Sequence, residues 1–537
     1  MVSFSESGSL ANPNYSNPDS RFPHALVGIN KSSPVMTEVG EMAYPLPPGD
    51  MGWPFIGNML SLMKCLRAGD PNSFIYNLVS RVGEMAYPLP PGDMGWPFIG
   101  NMLSLMKCLR AGDPNSFIYN LVSRYRNSAG IYKMHLLGSP TVVVYTPELC
   151  RRVLTNEEHF KHGYPKSTDL LTGRKGLQNT SNAEHRRLRR IIANPINGHQ
   201  ALAIYVEHIE DVVINSLDEW ASMNKPFELL TEMKRAIVKA MTRIFIGSIS
   251  DSTFSTTQNL FNDYFEGLVS MAIDIPGFAF HKAFKAKKEL VKVLQSVLDE
   301  KRMTAKSNDE HKGKKDMMDL LMEVEDEDGQ KLEDEDIVAL LVSFFAAGFG
   351  STTTNTLRAI VHLSEHPEAL KKAKEEQEDI TKRRPSTQKG LNFKDIKQMQ
   401  YLAKVIDEML RITSLTGLFR EAKIDISIDG YTIPKGWKVF VWLGIIHMDP
   451  ETYESPQDFN PSRWDNIKTK GGAFLPFGAG SRSCPGMDLS KLVITIFLHL
   501  FLLNYKLKRI NPESPLHYSL MGSMVEDNYL VEIIKIP

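Results

Sequence analysis

The stretch Phe477-Gly478-Ala479-Gly480-Ser481-Arg482-Ser483-Cys484-Pro485-Gly486 decides how this chain is read. It sets one thiol on a loop bracketed by glycines, beside an arginine. The apolar run that follows, Met487 to Asn504, predicts a helix with Cys484 just ahead of its N-terminus. Gly478 and Gly480 remove side chains where the backbone must lie close to a large flat ligand. Unpaired N–H groups and the positive dipole end of the helix are expected to favour a thiolate, lowering the thiol pKa from about 8.5. A buried structural cysteine in a turn is the competing reading. An isolated Cys-Pro-Gly would suit that reading, whereas the whole spaced decapeptide does not. The expectation is a thiolate that ligates a metal carried by a planar group.

This decapeptide resembles the haem-binding signature of the cytochrome P450 family, Phe-x-x-Gly-x-Arg-x-Cys-x-Gly, and agrees with it at each fixed position. The resemblance runs from Tyr87 onward. It implies a mainly α fold with small β-sheets and a long central helix over haem b (iron protoporphyrin IX). It also implies that Cys484 is the metal ligand and that Phe477 and Arg482 bind the cofactor. His185 and Arg189, four apart in His185-Arg186-Arg187-Leu188-Arg189, share a helix face. By the same resemblance they and Arg420 become candidates for the haem propionates. A solvated basic helix is the alternative for His185 and Arg189. Glu408-Met409-Leu410-Arg411 matches the family's Glu-x-x-Arg helix, and Arg463 of Pro461-Ser462-Arg463-Trp464 completes an expected Glu–Arg–Arg cluster. Buried charges survive only when paired, so each member is expected to resist substitution.

Leu332 to Ser364 predicts one long helix, opened by the acidic run Glu333-Asp334-Glu335-Asp336, where the dipole favours negative charge. At about 1.5 Å per residue it would run on the order of 50 Å. Its middle, Ile337 to Gly348, is apolar all round, which means burial. Family members usually carry an acid and a threonine in the next turn. This chain reads Ala347-Gly348-Phe349-Gly350-Ser351-Thr352, with Gly350 in place of the acid. Ser351 and Thr352 are the catalytic candidates, because they can supply hydroxyls while ordered water relays protons. Without the acid the relay is expected to slow and some reduced oxygen to leave as peroxide. Restoring an acid at Gly350 is expected to raise product formed per reducing equivalent.

The bulk properties are those of an ordinary globular protein. Of 537 residues, 42% are hydrophobic and 23% charged, and the net charge of −1 leaves no electrostatic footprint for nucleic acid. The four cysteines, Cys65, Cys108, Cys150 and Cys484, form neither a disulfide framework nor a zinc spacing. The predicted membrane-length candidates fall short of the roughly 20 apolar residues a span requires. Met1 to Glu38, rich in Ser, Asn and Pro, reads as disordered and without a hydrophobic signal core. Plant members of the family usually begin with an endoplasmic-reticulum anchor, and the sequence departs from them here. Val39 to Arg81 recurs without one change as Val82 to Arg124. Solenoids need about three or more units, so the first copy, 39–81, is expected to be surplus, with 82–537 forming the folded domain.

The chain has no Gly-x-Gly-x-x-Gly turn between strand and helix, so electrons must come from a partner. By resemblance that partner is NADPH–cytochrome P450 reductase, and the reaction is O2-dependent oxidation at the cytoplasmic face of the endoplasmic-reticulum membrane. Tyr164-Pro165-Lys166-Ser167, Ser181-Asn182-Ala183-Glu184-His185-Arg186 and Ile433-Pro434-Lys435-Gly436-Trp437 resemble a plant branch that oxidises polycyclic terpenoids. Phe459-Asn460-Pro461-Ser462-Arg463-Trp464-Asp465 and Ala201-Leu202-Ala203 lean towards its triterpenoid members, with a diterpenoid acid as the alternative. A haem-thiolate isomerase and an inactive product of a misassembled gene also stay open.

Overall fold

A computed structural model describes residues 88–96, 99–126, 129–173, 175–268, 270–306, 314–414, 417–467, 471–519 and 522–536. Helices dominate, with small sheets among the described residues. The central helix runs Asp334–Glu365, two residues off the predicted start, and carries Asp334, Glu335 and Asp336 in its first turn. Lys175 bridges Glu335 and Asp336 at 3.0 Å each, adding to the favourable dipole. A second apolar helix, Met487–Asn504, has the predicted bounds and buries Leu492 through Leu502. The two pack on each other at the centre of the core. Both are long and apolar enough to cross a membrane, yet 67% of each apolar window is buried inside the fold. Their apolar circumference therefore meets protein.

The main sheet has five strands: β1 (Ile131–Leu136), β2 (Ser139–Val144), β3 (Phe160–His162), β4 (Gly417–Ala422) and β5 (Lys438–Trp442). Their order is β1-β2-β5-β4-β3. β1 and β2 form an antiparallel hairpin, and β2 pairs parallel with β5. β4 lies antiparallel to both β5 and β3, and this sets His162 directly opposite Arg420. Cross-strand partners share a sheet face, so the register brings a histidine and an arginine together that are far apart in sequence.

The second copy of the duplicated unit packs where its sequence leads into β1. Leu105, Leu109, Phe117, Ile118 and Leu121 bury against Tyr132, Met134, Val143, Phe440 and Trp442. Trp442 Nε1–H donates to Asn115 Oδ1 at 2.9 Å, and Lys133 N–H donates to the Pro91 carbonyl at 2.8 Å. The first copy lies outside the described residues, as does the segment before it. We propose that it is surplus. Proteolytic removal of residues before Val82 is expected to leave the unfolding transition of the core unchanged, and loss of the fold on that cut would refute this.

Candidate functional site

The helix Asn182–Asn197 begins where the Ser181 hydroxyl accepts the Glu184 N–H at 3.2 Å. Its inner face then clamps the cysteine loop. Arg189 Nη1 donates to the Ser483 carbonyl at 2.9 Å, and Asn197 Nδ2 donates to the Pro485 carbonyl at 2.6 Å. From the loop side, Arg482 Nη2 donates to Asn182 Oδ1 at 2.8 Å. Within the loop the Cys484 N–H reaches the Phe477 carbonyl at 2.9 Å, so Phe477 and Cys484 are tied by backbone. Gly478 and Gly480 have φ of 72° and 75°, a conformation that disfavours any side chain. A Cβ at Gly480 would also stand 2.9 Å from the Leu154 carbonyl oxygen.

The sulfur of Cys484 is reachable by solvent although protein surrounds it on most sides, as for a group on the floor of a recess. This changes the expectation about its acidity. Burial pushes the thiol pKa up, while the Gly486 N–H and the Arg189 charge pull it back down. Desolvation outweighs the helix end when no metal charge is present. A hollow of about 550 Å³ opens beside the loop, lined by Ala183, His185, Arg186, Arg189, Arg190 and Ser481.

Above the loop the chain gathers two arginines, Arg482 and Arg420, and two histidines. His162 and His185 meet edge to face with ring centroids 6.3 Å apart. Burial, with the charges of Arg482 and Arg420, pushes His162 down to about 2. Burial and Arg482 likewise bring His185 to about 4. Arg482 itself falls to about 10 through desolvation, despite the distant pull of Glu157. Arg420 is buried, its pKa lowered by desolvation, and the bond its side chain makes is to the Phe419 carbonyl at 3.1 Å. Glu157, an acid whose charge acts on Arg482 and Arg420, is paired with Arg186 at 3.2 Å. Arg482 Nη1 is buried and has no hydrogen-bond partner among the described residues. A buried donor of that kind, facing the repelling charge of Arg420, costs stability unless an anion completes it. Two carboxylates on a planar group seated against Cys484 fit that requirement.

Sequence reasoning names Arg420, Arg482, His185 and Arg189 as candidates; the structure sets His162 beside them, with its stacking neighbour Tyr164 5.6 Å away. A lone histidine in Phe160-Lys161-His162 carries no local signal, and only the β3–β4 register reveals it. Arg189 donates to the Ser483 carbonyl, and its charge acts on both the sulfur and His185.

Behind the loop the acid–arginine cluster is closed. Glu408 Oε1 meets Arg411 Nη2 at 2.9 Å and Arg463 Nε at 2.8 Å. Its carboxylate also accepts the Asn460 N–H at 3.0 Å and Trp464 Nε1–H at 3.1 Å. Arg411 reaches the His447 carbonyl at 2.8 Å, and Leu475 N–H donates to His447 Nε2 at 3.1 Å. His447 is therefore neutral, with its proton on Nδ1 facing the Ser414 carbonyl. Burial drives its pKa down to about 3, and the Arg411 charge adds to this. Unfolded histidine binds a proton near 6.5. Below that pH the unfolded chain holds more protons, so this contribution to stability is complete above about 6.5 and fades as pH falls towards about 3. Urea midpoints are expected to fall between pH 6.5 and 4, less steeply in His447→Gln; equal slopes in both proteins would refute the role of His447.

The central helix turns an otherwise buried length towards open space at Ala347 and Ser351, with Gly348 and Gly350 partly uncovered beside them. The Ser351 hydroxyl donates to the Ala347 carbonyl at 3.0 Å. Thr352 points elsewhere: it is buried, with its oxygen 3.3 Å from Ser490 Oγ on the Met487–Asn504 helix. The structure thus separates the two catalytic candidates and leaves Ser351 on the open face. Gly350 carries a further surprise. A Cβ there would meet Phe265 Cζ at 2.1 Å, so restoring an acid by a single replacement meets a ring already in the space.

The comparisons agree with this geometry. A cytochrome P450 profile matches residues 90–532. Beta-amyrin 11-oxidase of Glycyrrhiza uralensis is 51% identical, over 92% of this chain and 91% of that protein. (1S)-1-hydroxy-luvungin A synthase of Citrus sinensis is 51% identical, over 90% and 89%. Ent-kaurenoic acid oxidase 1 of Arabidopsis thaliana is 48% identical, over 93% and 92%. The solved structure of retinoic acid-bound cyanobacterial CYP120A1 superposes with a TM-score of 0.72 at 23% identity, covering 84% of this chain and 100% of that one, which is a likeness of fold. A thiol on a glycine-shaped loop, two arginines and two histidines above it, the P450 fold and a match spanning most of the chain lead to one assignment: the chain belongs to the cytochrome P450 family, whose members are haem-thiolate monooxygenases.

Proposed function

We propose that this protein oxidises a polycyclic triterpene of the beta-amyrin type, using O2 and electrons from NADPH–cytochrome P450 reductase. The observation that carries the substrate class is the 51% identity to beta-amyrin 11-oxidase across nine-tenths of both chains. The second reading is a diterpenoid acid, favoured by 48% identity to ent-kaurenoic acid oxidase 1.

In this reading haem b is held by Cys484 as metal ligand, with Phe477 packed beside the loop. When bound, it supplies the activation of O2 and the oxidation of a C–H bond. Arg420, Arg482, His162 and His185 hold its two carboxylates, and the orphaned Arg482 Nη1 gains an acceptor. Arg189 fixes the Ser483 carbonyl and lends positive charge to the sulfur. Ser351, bonded to the Ala347 carbonyl, is the hydroxyl that holds or passes a proton at Oγ on the open face. Phe345, Phe349 and Phe261 are buried in the core behind that face, so the helix that carries Ser351 is backed by apolar packing, in keeping with a terpenoid skeleton with few polar anchors.

Placement at the cytoplasmic face of the endoplasmic-reticulum membrane belongs to the same proposal. Trp96 and Met271, each 73% exposed, support it together with the exposed Ile99, Leu103, Ile275 and Phe278. The test is reductase-dependent turnover of beta-amyrin and of ent-kaurenoic acid by purified protein. Hydroxylated or ketone product from beta-amyrin alone is expected. Turnover of ent-kaurenoic acid alone would move the assignment to the diterpenoid reading, and turnover of neither would overturn both.

A further inference from the structure

Beside Ser351 the central helix has a notch, and a ring fills it. The Cβ that Gly350 lacks would fall 2.1 Å from Cζ and 2.5 Å from Cε2 of Phe265, so the ring tip rests on bare backbone. Phe265 belongs to the helix Asp251–Gly267, which lies across the central helix. Its ring also meets Phe349 edge to face at 5.4 Å, and one turn earlier Phe261 stacks on Phe345 at 4.2 Å. Two aromatics four apart on one helix are thus keyed to two aromatics four apart on the other.

The crossing helix has little freedom to retreat. Gly267 is so close to the helix Ala279–Lys306 that a Cβ there would stand 2.2 Å from Ala283 Cβ. Tyr264 donates its hydroxyl to the Leu171 carbonyl at 3.1 Å. Ser167 and Thr168 donate theirs to the Leu268 carbonyl at 2.8 and 2.6 Å. Phe265 is therefore delivered to Gly350 by contacts on either side of it. Glycine in a helix interior weakens the helix, and here it is what admits the ring.

We propose that Phe265 and Gly350 form one ring-in-notch unit that seals the wall next to Ser351 against water from between the two helices. Phe265 is a positioning residue: it acts through the wall that carries Ser351. This deepens, and depends on, the monooxygenase reading. In that reaction O2, two electrons and two protons give either hydrogen peroxide or, with a substrate C–H bond, an alcohol and water. The electrons come from NADPH through the reductase. The seal governs this partition by keeping stray water from the Ser351 face. It also predicts that a carboxylate at position 350 is accommodated only when the ring is gone.

The experiment is a cycle of Gly350→Ala, Phe265→Ala and the double variant, on the haem-loaded full chain. Thermal unfolding followed by circular dichroism reads the contact independently of activity. Alanine ordinarily stabilises a helix relative to glycine. Gly350→Ala is expected to lower Tm with Phe265 present and to raise it in the Phe265→Ala background. The same sign in both backgrounds would overturn the ring-in-notch contact. Hydrogen peroxide and product formed per NADPH read the seal. Phe265→Ala is expected to raise peroxide severalfold, Phe265→Leu to stay near the parent, and Phe265→Ala/Gly350→Glu to recover product relative to Phe265→Ala. Lowered stability with an unmoved peroxide-to-product ratio would leave Phe265 a packing residue and overturn the seal. A parent protein without a thiolate-type carbon-monoxide difference band would refute the functional reading and the seal with it. The unfolding cycle would still judge the contact.

Discussion

Cys484→Ala is expected to lose the thiolate-type carbon-monoxide difference band entirely, and its reductase-dependent turnover is expected to fall to background. The loss should be chemical rather than a failure to fold. The residue is exposed at the floor of its recess, so removing Sγ is expected to cost little packing. The bonds that shape the loop are made by backbone or by neighbours: the Cys484 N–H to the Phe477 carbonyl, the Ser483 carbonyl to Arg189 and the Pro485 carbonyl to Asn197. Alanine keeps all of these. A near-parental unfolding transition is therefore expected beside complete spectral loss. An unaltered thiolate band in the alanine protein would remove Cys484 as the metal ligand, and the proposed site would go with it.

Glu408→Ala is the second large effect, and its character is opposite. Here the cofactor face is untouched and the support behind it fails. Both oxygens of Glu408 are engaged, to Arg411, Arg463, the Asn460 N–H and the Trp464 ring N–H, and its side chain is fully buried. Removing it strands two buried guanidinium groups. Breaking one side of such a cluster costs about 3–5 kcal/mol, a large part of the about 5–15 kcal/mol that holds a typical domain together. The strain should reach the cysteine loop through Arg411, the His447 carbonyl and the His447 bond to Leu475. The urea midpoint should drop sharply, and the fraction of protein with an intact thiolate band should drop with it. A Glu408→Ala protein within about 1 kcal/mol of the parent would show that the cluster is not a structural anchor.

These two predictions draw on different sources. Cys484, Gly478, Gly480 and the helix after them were legible because their chemistry is local. Positive φ calls for glycine, an apolar run of 18 residues calls for a buried helix, and a ligand loop is written in consecutive residues. The central helix was legible for the same reason, down to its acidic first turn. Glu408 and Arg411 are one turn apart and also could be read. Arg463 joined them through resemblance, since nothing local links positions 55 residues apart.

The sequence by itself determined the two long apolar helices, the glycine-shaped cysteine loop and the small-residue turn at Ala347-Gly348, because each is specified by neighbours within a few residues. Only the tertiary structure decided which charges face one another and which face nothing. His162 meets Arg420 through a strand register, and among the described residues Arg482 Nη1 is left without an acceptor, with Glu157 engaged by Arg186. The thiol acidity went the same way: a helix end acts locally, whereas desolvation is set by everything packed around the sulfur, and it prevailed. Gly350 is the sharpest case. As a letter in a helix it marks a missing carboxylate, and in the fold it is the space that Phe265 occupies, 85 residues away in the chain, which no local pattern encodes.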